Sequence, residues 1–584
     1  MQNRPITANP SQIMIEQLAA LGVKYVFYNS GSREAQFFDA LQAHPDIDGI
    51  LALHEGSVTA MAGGFTQVKL DPAVMVVHLG AGLAQCLGQL INVWAGSLPV
   101  VVITFAGDTG SFADQIGLDL SHNFGPTSIS APFTKANWTV IEPEGLPYAI
   151  ERAIRVAKTP PVGPVHLAVY DRLLGTQQVT TRIIEGDIPD CQAGYPDDRD
   201  VEALARALHE AERPLIYVGD GIWKSGAEAQ VTALAEHYGA AVASGFHDLR
   251  GVPIKHRLHC GRLEAAAAVL NPDLIVCMGA RHGGAGLPED YSPFAMAHRV
   301  AAIGPNVENL SNIPGLDLVL LADERRTLER LEAQMSSAAS TPARYAERRA
   351  WAASQAATLR ENRRKVAQAV AAQPSRVRPW VLAQALDDAL EGIGGGLIMI
   401  EQFALPLDTL GGLQDAGNNV YIRPAGGSEG YGIGGAAGVK LAAPDRLVVG
   451  LVGDGSLFYA DSGLWTTVHH GIPVLYVIPN NQAYGIVANY FGLAEGSMKR
   501  ESAYAGVVLD GIDPVKIAAG FGVEGVQVQE EAGLDAALAH GLKVVEAEQR
   551  PFLLDVRLPT GVPQDGRAAE PFRLAQVETD VSSD

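Results

Sequence analysis

A series of apolar runs of strand length constrains this chain more than any other feature. Residues 25–27, 73–77, 100–105, 165–169, 215–218, 274–277, 447–452 and 474–478 are nearly continuous in Val, Ile, Leu and aromatic side chains, with no regular polar alternation. A strand that is apolar on both faces must be covered on both, which is the pattern of a parallel sheet between two layers of helices. Helical segments separate the runs, beginning with an amphipathic stretch at 11–21. The grouping predicts an α/β chain of three consecutive doubly wound parallel-sheet units: residues 7–175, 197–335 and 377–560. Residues 176–199 read as a polar linker and 336–376, rich in Ala, Arg, Glu and Ser, as a helical, solvent-facing connector. Residues 561–584 read as a polar tail.

Charge and cysteine content exclude several function classes. A formal net charge of −22 leaves no basic footprint for nucleic acid or an anionic membrane. Cys86, Cys191, Cys260 and Cys277 are far apart with no C-x-x-C pair, which suits neither a zinc site nor a disulfide framework and points to a reducing compartment. Residues 1–10 are polar, unlike a secretory leader, and no apolar run reaches the ~18 residues of a membrane span. A cytoplasmic location is the expectation.

The chemistry is concentrated where the strands of the third unit end. Gly453-Asp454-Gly455-Ser456 follows one apolar run, and Asn481-Gln482-Ala483 follows the next. Open α/β sheets bind ligands at such strand ends. Glycine lets backbone approach an anion closely. Asp454, the Asn481 amide oxygen and a backbone carbonyl are hard oxygen ligands that diphosphate oxygens and water would complete to an octahedral Mg²⁺ site. This pair of segments resembles the thiamin-diphosphate-binding motif. The resemblance implies that Asp454, Asn481 and the Ala483 carbonyl hold the metal, while Gly453, Gly455 and Ser456 receive the diphosphate. The segment 425–432 corresponds to the one that receives the aminopyrimidine, with the Gly427 carbonyl facing its amino group and Ser428 and Glu429 beside it. Relatives carry a bulky apolar residue where Glu429 stands. A carboxyl group there must be protonated, paired (Arg423 is near in sequence), shifted in register, or used as an extra acid or base.

The first unit supplies the expected acid. Thiamin chemistry needs a carboxyl group against N1′ of the coenzyme, and Glu55 sits where an apolar strand meets a helix of small residues. The chain is similar to the thiamin-diphosphate-dependent decarboxylase and acetohydroxyacid synthase superfamily over almost its whole length, and to its benzoylformate-decarboxylase-like members in particular. That resemblance makes Glu55 the N1′ partner, Ser32 the contact of the substrate carboxylate, and His78 a proton-transfer group. It places His122 toward the substrate, with a surface role as the alternative. His54, His469 and His470 read as structural. Gly279-Ala280-Arg281-His282 resembles a segment used around FAD in some relatives, beside the plainer reading as a strand-to-loop turn, and His282 as a substrate contact is a third option. The implied activity is a lyase acting on a 2-oxo acid and releasing an aldehyde, in a homodimer or homotetramer with active sites between subunits. An acetolactate-synthase-like carboligase, a diketone- or 2-hydroxyacyl-cleaving lyase and a non-catalytic cofactor-binding subunit are the rivals.

Overall fold

The computed structural model describes residues 2–107, 125–245, 248–281, 293–337, 342–411, 419–494, 496–501 and 503–561. Within them, three six-stranded parallel sheets follow one another along the chain. In the first, the spatial order is Asp48–Leu51, Tyr25–Tyr28, Ala73–His78, Val100–Ala106, Val165–Tyr170 and Ala136–Val140. In the second, it is His259–Arg262, Ala241–Ser244, Pro214–Val218, Leu274–Met278, Arg299–Gly304 and Leu318–Leu321. In the third, it is Val420–Ile422, Leu397–Glu401, Val448–Val452, Leu475–Asn480, Phe552–Arg557 and Glu524–Val528. The apolar runs occupy the middle of each sheet, where helices cover both faces; Val100–Ala106 and Val448–Val452 are buried at every position. Burial contributes about 1.5–3 kcal/mol for each such Val, Ile or Leu.

Two expectations fail. The polar ends of the first unit form strands after all: Gln2–Ala8 pairs antiparallel with Val179–Glu185. The apolar side chains of the latter, Val179, Ile183 and Ile184, are buried but interrupted by exposed or half-buried polar residues, so no unbroken apolar run marks the strand and it reads as coil. The connector, too, is more than a solvent-facing spacer. Helix Ala343–Gln368 buries Tyr345, Arg348, Ala352, Ala356, Arg360, Arg363 and Ala367. Its arginines turn inward because they cap carbonyls of the middle unit: Arg360 donates to Ile254, His256 and His259, and Arg363 to Cys260.

The first and third units share one core, which contains Phe27, Met61 and Val77 from one and Met399, Ile433, Val452 and Tyr476 from the other. The contact is made by helices Glu55–Lys69 and Gly432–Ala442. Glycine decides how closely they approach. A Cβ on Gly64 would overlap the Gly435 carbonyl, and one on Gly438 would overlap the Met61 carbonyl. The fully buried Tyr431 closes the contact, its hydroxyl donating to Gln67 Oε1 at 2.8 Å.

Candidate active site

Strands Val448–Val452 and Leu475–Asn480 are neighbours in the third sheet, so the segments that follow them meet at its carboxyl edge. Gln402, Phe403, Glu429, Gly453, Asp454, Ser456, Tyr459, Asn481, Ala483 and Tyr484 are among the residues around a cavity of ≈ 250 Å³. Asp454 is buried, and its Oδ2 has no hydrogen-bond partner among the described residues. Burial pushes its pKa up to about 7, although the Gly455 and Gln482 amides donate to it. A buried carboxylate with an idle oxygen is costly unless a cation or donor arrives. The loop carrying Asn481 and Ala483 is pinned by Tyr484 N–H to the Val507 carbonyl and Leu509 N–H to the Gln482 carbonyl, each at 2.8 Å. The donor set of one carboxylate, one amide oxygen and backbone oxygens fits Mg²⁺ bridging a diphosphate, the chemistry read from the sequence. Among the described residues no cluster of three His, Cys, Asp or Glu offers a transition-metal site.

The turn before helix Gly432–Ala442 brings Glu429 to this cavity. Gly430 adopts φ +96°, a left-handed conformation that favours glycine. Two amides of helix Leu79–Ala95 hold the turn: Gln89 Nε2 donates to the Glu429 carbonyl and Asn92 Nδ2 to the Ser428 carbonyl, both at 2.7 Å. The Glu429 carboxyl has a partner that the sequence did not suggest: the Ser456 hydroxyl donates to its Oε2. Burial raises the Glu429 pKa, opposed by the Ser456 bond and by the Arg423 charge. Beneath it, buried Glu401 accepts from the Tyr431 and Gly432 amides at 2.9 and 2.6 Å. Burial and the charge of Glu429 raise the Glu401 pKa to about 8.

A second group of acid–base residues lies in the first unit. Glu55 opens its helix and is buried, with room made by Gly82, where a Cβ would lie 3.0 Å from Glu55 Oε1. His78 ends strand Ala73–His78, and its Nδ1 lies 2.7 Å from Glu34 Oε1. That hydrogen bond raises the His78 pKa against the effect of burial, with Glu55 adding to the rise and Arg33 opposing it. Glu34 is fully buried on the short turn Ser32–Glu34, and Gly31 permits the approach, since a Cβ there would collide with the His78 ring and the Glu34 carboxyl. Ser32 is exposed at the start of this turn. Ser32, Glu55 and His78 are not among the residues lining the Asp454 cavity of the same chain. His122 and His282 fall outside the described residues.

The remaining histidines have structural partners. His54 Nδ1 accepts from the Gly56 amide, His470 Nε2 from the Leu51 amide, and His469 stacks on Trp465. In the middle unit, Arg281 pairs with Asp220 and donates to the Ala95 carbonyl, so the Gly279-Ala280-Arg281 segment ties the second unit to the first. Glu34, Gln89 and Asn92 were not singled out from the sequence. Polar residues spaced three and four apart (Gln85, Gln89 and Asn92) on a helix otherwise apolar and small were the available signal for the last two. Glu34 gave none.

An idle carboxylate and hard oxygens at the edge of one parallel sheet, with a buried carboxyl–imidazole group on another, are chemistry that suits a diphosphate-bearing coenzyme. The chain belongs to the thiamine pyrophosphate enzymes: it matches their N-terminal TPP binding domain over residues 9–122, their central domain over 201–331 and their C-terminal TPP binding domain over 413–556. It is 28% identical to benzoylformate decarboxylase of Pseudomonas aeruginosa, over 93% of this chain and 98% of that protein. It is 25% identical to the acetolactate synthase large subunit of Lactococcus lactis, over 94% and 92%. Among solved structures, the thiamine diphosphate-dependent 4-hydroxybenzoylformate decarboxylase of Rhodococcus jostii superposes with a TM-score of 0.74 at 24% identity, over 95% of this chain and 99% of that one. Benzoylformate decarboxylase of Polynucleobacter necessarius gives 0.74 at 22% identity, over 94% and 99%. Both structures share the fold. Among the described residues no helix is long and apolar enough to cross a membrane.

Proposed function

We propose that this enzyme is a cytoplasmic 2-oxo acid decarboxylase releasing an aldehyde, with thiamin diphosphate anchored through Mg²⁺ at Asp454, Asn481 and the Ala483 carbonyl. The observation that carries this reading is the Glu34-supported His78 close to Glu55. Bound thiamin diphosphate supplies an electron sink beside the substrate carbonyl carbon. Release of an aldehyde then needs a proton at the carbon that has lost carbon dioxide, whereas ligation to a second carbonyl does not. An imidazole whose pKa is raised by a buried carboxylate is a suitable source of that proton. Ser32 binds the substrate carboxylate, and Glu55 holds a proton at N1′ of the aminopyrimidine.

That Glu55 is not among the residues lining the Asp454 cavity of its own chain supports an active site shared by two copies, in a homodimer or homotetramer. Exposed Phe403, Tyr459 and Val487 at the cavity suit burial by the first unit of a second copy. A flavin in the middle unit is a finer possibility that a visible spectrum of the purified protein decides; the Arg281–Asp220 pair supports a structural role for that segment.

The test is a screen of 2-oxo acids with thiamin diphosphate and Mg²⁺. Aldehyde should form, and Glu55→Gln should abolish turnover while retaining coenzyme. Acetolactate instead of acetaldehyde from pyruvate alone would transfer the assignment to the carboligases that the acetolactate synthase relatives represent.

A further inference from the structure

Two demands fall on Ser456 that one hydroxyl proton cannot meet together. Its side chain lines the cavity at the segment assigned to the diphosphate, yet its hydroxyl donates to Glu429 Oε2, a carboxyl lining the same cavity. A serine hydroxyl has a single proton to donate. While Glu429 is ionised, the carboxylate holds that proton, and the pair offers an entering anion only acceptor oxygens and a like charge. The backbone keeps the two side chains together. Gln89 holds the Glu429 carbonyl, Asn92 holds that of Ser428, and Ser456 sits in the first turn of helix Asp454–Ala460. Around Glu429, the Arg423 charge favours the carboxylate and burial opposes it. Glu401, Asp454, Tyr459 and Tyr484 are the other ionisable groups on the surrounding elements, none of them cationic. Helix Leu79–Ala95, which brings Gln89 and Asn92, has no charged residue.

We propose that Glu429 and Ser456 form a proton-operated donor switch for the coenzyme's diphosphate: Glu429 takes up a proton from solvent as the anion enters, uses it to donate to Ser456 Oγ, and so frees the Ser456 hydroxyl to donate into the cavity. This rests on the coenzyme assignment made above. One proton leaves solvent for the Glu429 carboxyl, and no covalent bond changes elsewhere. Because the bound state holds one proton more, affinity is greatest below the pKa of Glu429 in the empty site and falls as pH rises above it, by up to about tenfold per unit. An apolar side chain at this position would leave the Ser456 proton available at every pH. Gln stands in for the protonated acid, since its amide always has protons to donate.

Titration calorimetry of the full-length protein with thiamin diphosphate and Mg²⁺, from pH 5.5 to 8.5 and in buffers of different ionisation enthalpy, counts the protons. Wild type should take up about half a proton or more beyond Glu429→Gln near neutral pH, because the titrations of the coenzyme itself and of Asp454 are common to both. The two affinities should converge as pH falls toward 5.5, and Glu429→Gln should bind about tenfold more tightly than wild type at pH 8.5. Ser456→Ala should weaken binding most at pH 5.5, where the hydroxyl is released. The same pH dependence and proton count in wild type and Glu429→Gln, or weaker binding by Glu429→Gln at every pH, would overturn the switch and leave the coenzyme assignment standing. Absence of binding by wild type at every pH would overturn the assignment itself, and this inference with it.

Discussion

Replacing Glu34 by Gln removes a negative charge from beneath His78 while keeping the side chain's shape. The carboxylate is fully buried and lies 2.7 Å from His78 Nδ1, so the bond to the protonated ring is charge-assisted. Such bonds contribute about 1.5–3 kcal/mol when dry. The His78 side chain keeps 23% of its surface in solvent, which screens the interaction toward the lower end of that range. The wild-type His78 pKa is raised. The pair's stabilisation is therefore full below the unfolded-state value of about 6.5 and is lost as pH rises through the folded value. Glu34→Gln should shift the basic limb of the kcat/KM profile for aldehyde formation to lower pH. It should also flatten the dependence of denaturant midpoint on pH in that window. The assay is the decarboxylation rate from pH 5 to 9 at saturating coenzyme. A uniform fall in rate at every pH, with the limb unmoved, would refute the proton-donor argument and reduce Glu34 to a packing residue.

Asp454→Asn should weaken coenzyme binding in the presence of Mg²⁺ by at least about 100-fold, read by calorimetry, with the circular dichroism spectrum unchanged. His166 is fully buried between Thr104 and Ser130, and burial pushes its pKa down to about 3. Its contribution to stability is full above about pH 6.5 and is lost as pH falls toward 3, so His166→Asn should remove about 3 kcal/mol of acid sensitivity between pH 7 and pH 4, measured by denaturant titration. Gly64→Val should destabilise the protein by about 3 kcal/mol or more, seen as a lower urea midpoint, because its side chain meets the Gly435 carbonyl rather than a compressible neighbour.

The sheets were legible because a strand covered on both faces leaves an unbroken apolar run, and nothing else at that length does so as economically. The place of Asp454 and Asn481 at the cavity was legible for the same reason, since each lies just past the end of such a run. Gln2–Ala8 and Val179–Glu185 were not, because the paired strands contain no unbroken apolar run. Arg360 and Arg363 misled because an arginine reads as solvated unless the carbonyls it caps are known, and those lie about 100 residues away. Glu34 was hidden by the turn that carries it, since only the fold sets it under His78. The sequence did expose Glu429 as out of place, but only the structure supplied the Ser456 hydroxyl that holds it.

The glycine contact between helices Glu55–Lys69 and Gly432–Ala442 also has a consequence for how the polypeptide is made. Roughly 360 residues separate the two helices, and at about 5–20 residues per second a ribosome needs roughly 20–70 s to bridge them. For that interval the nascent first unit presents a bare, glycine-lined groove with no partner. Truncation before residue 432 should therefore leave that face of the first unit exposed even where the unit's own core is complete.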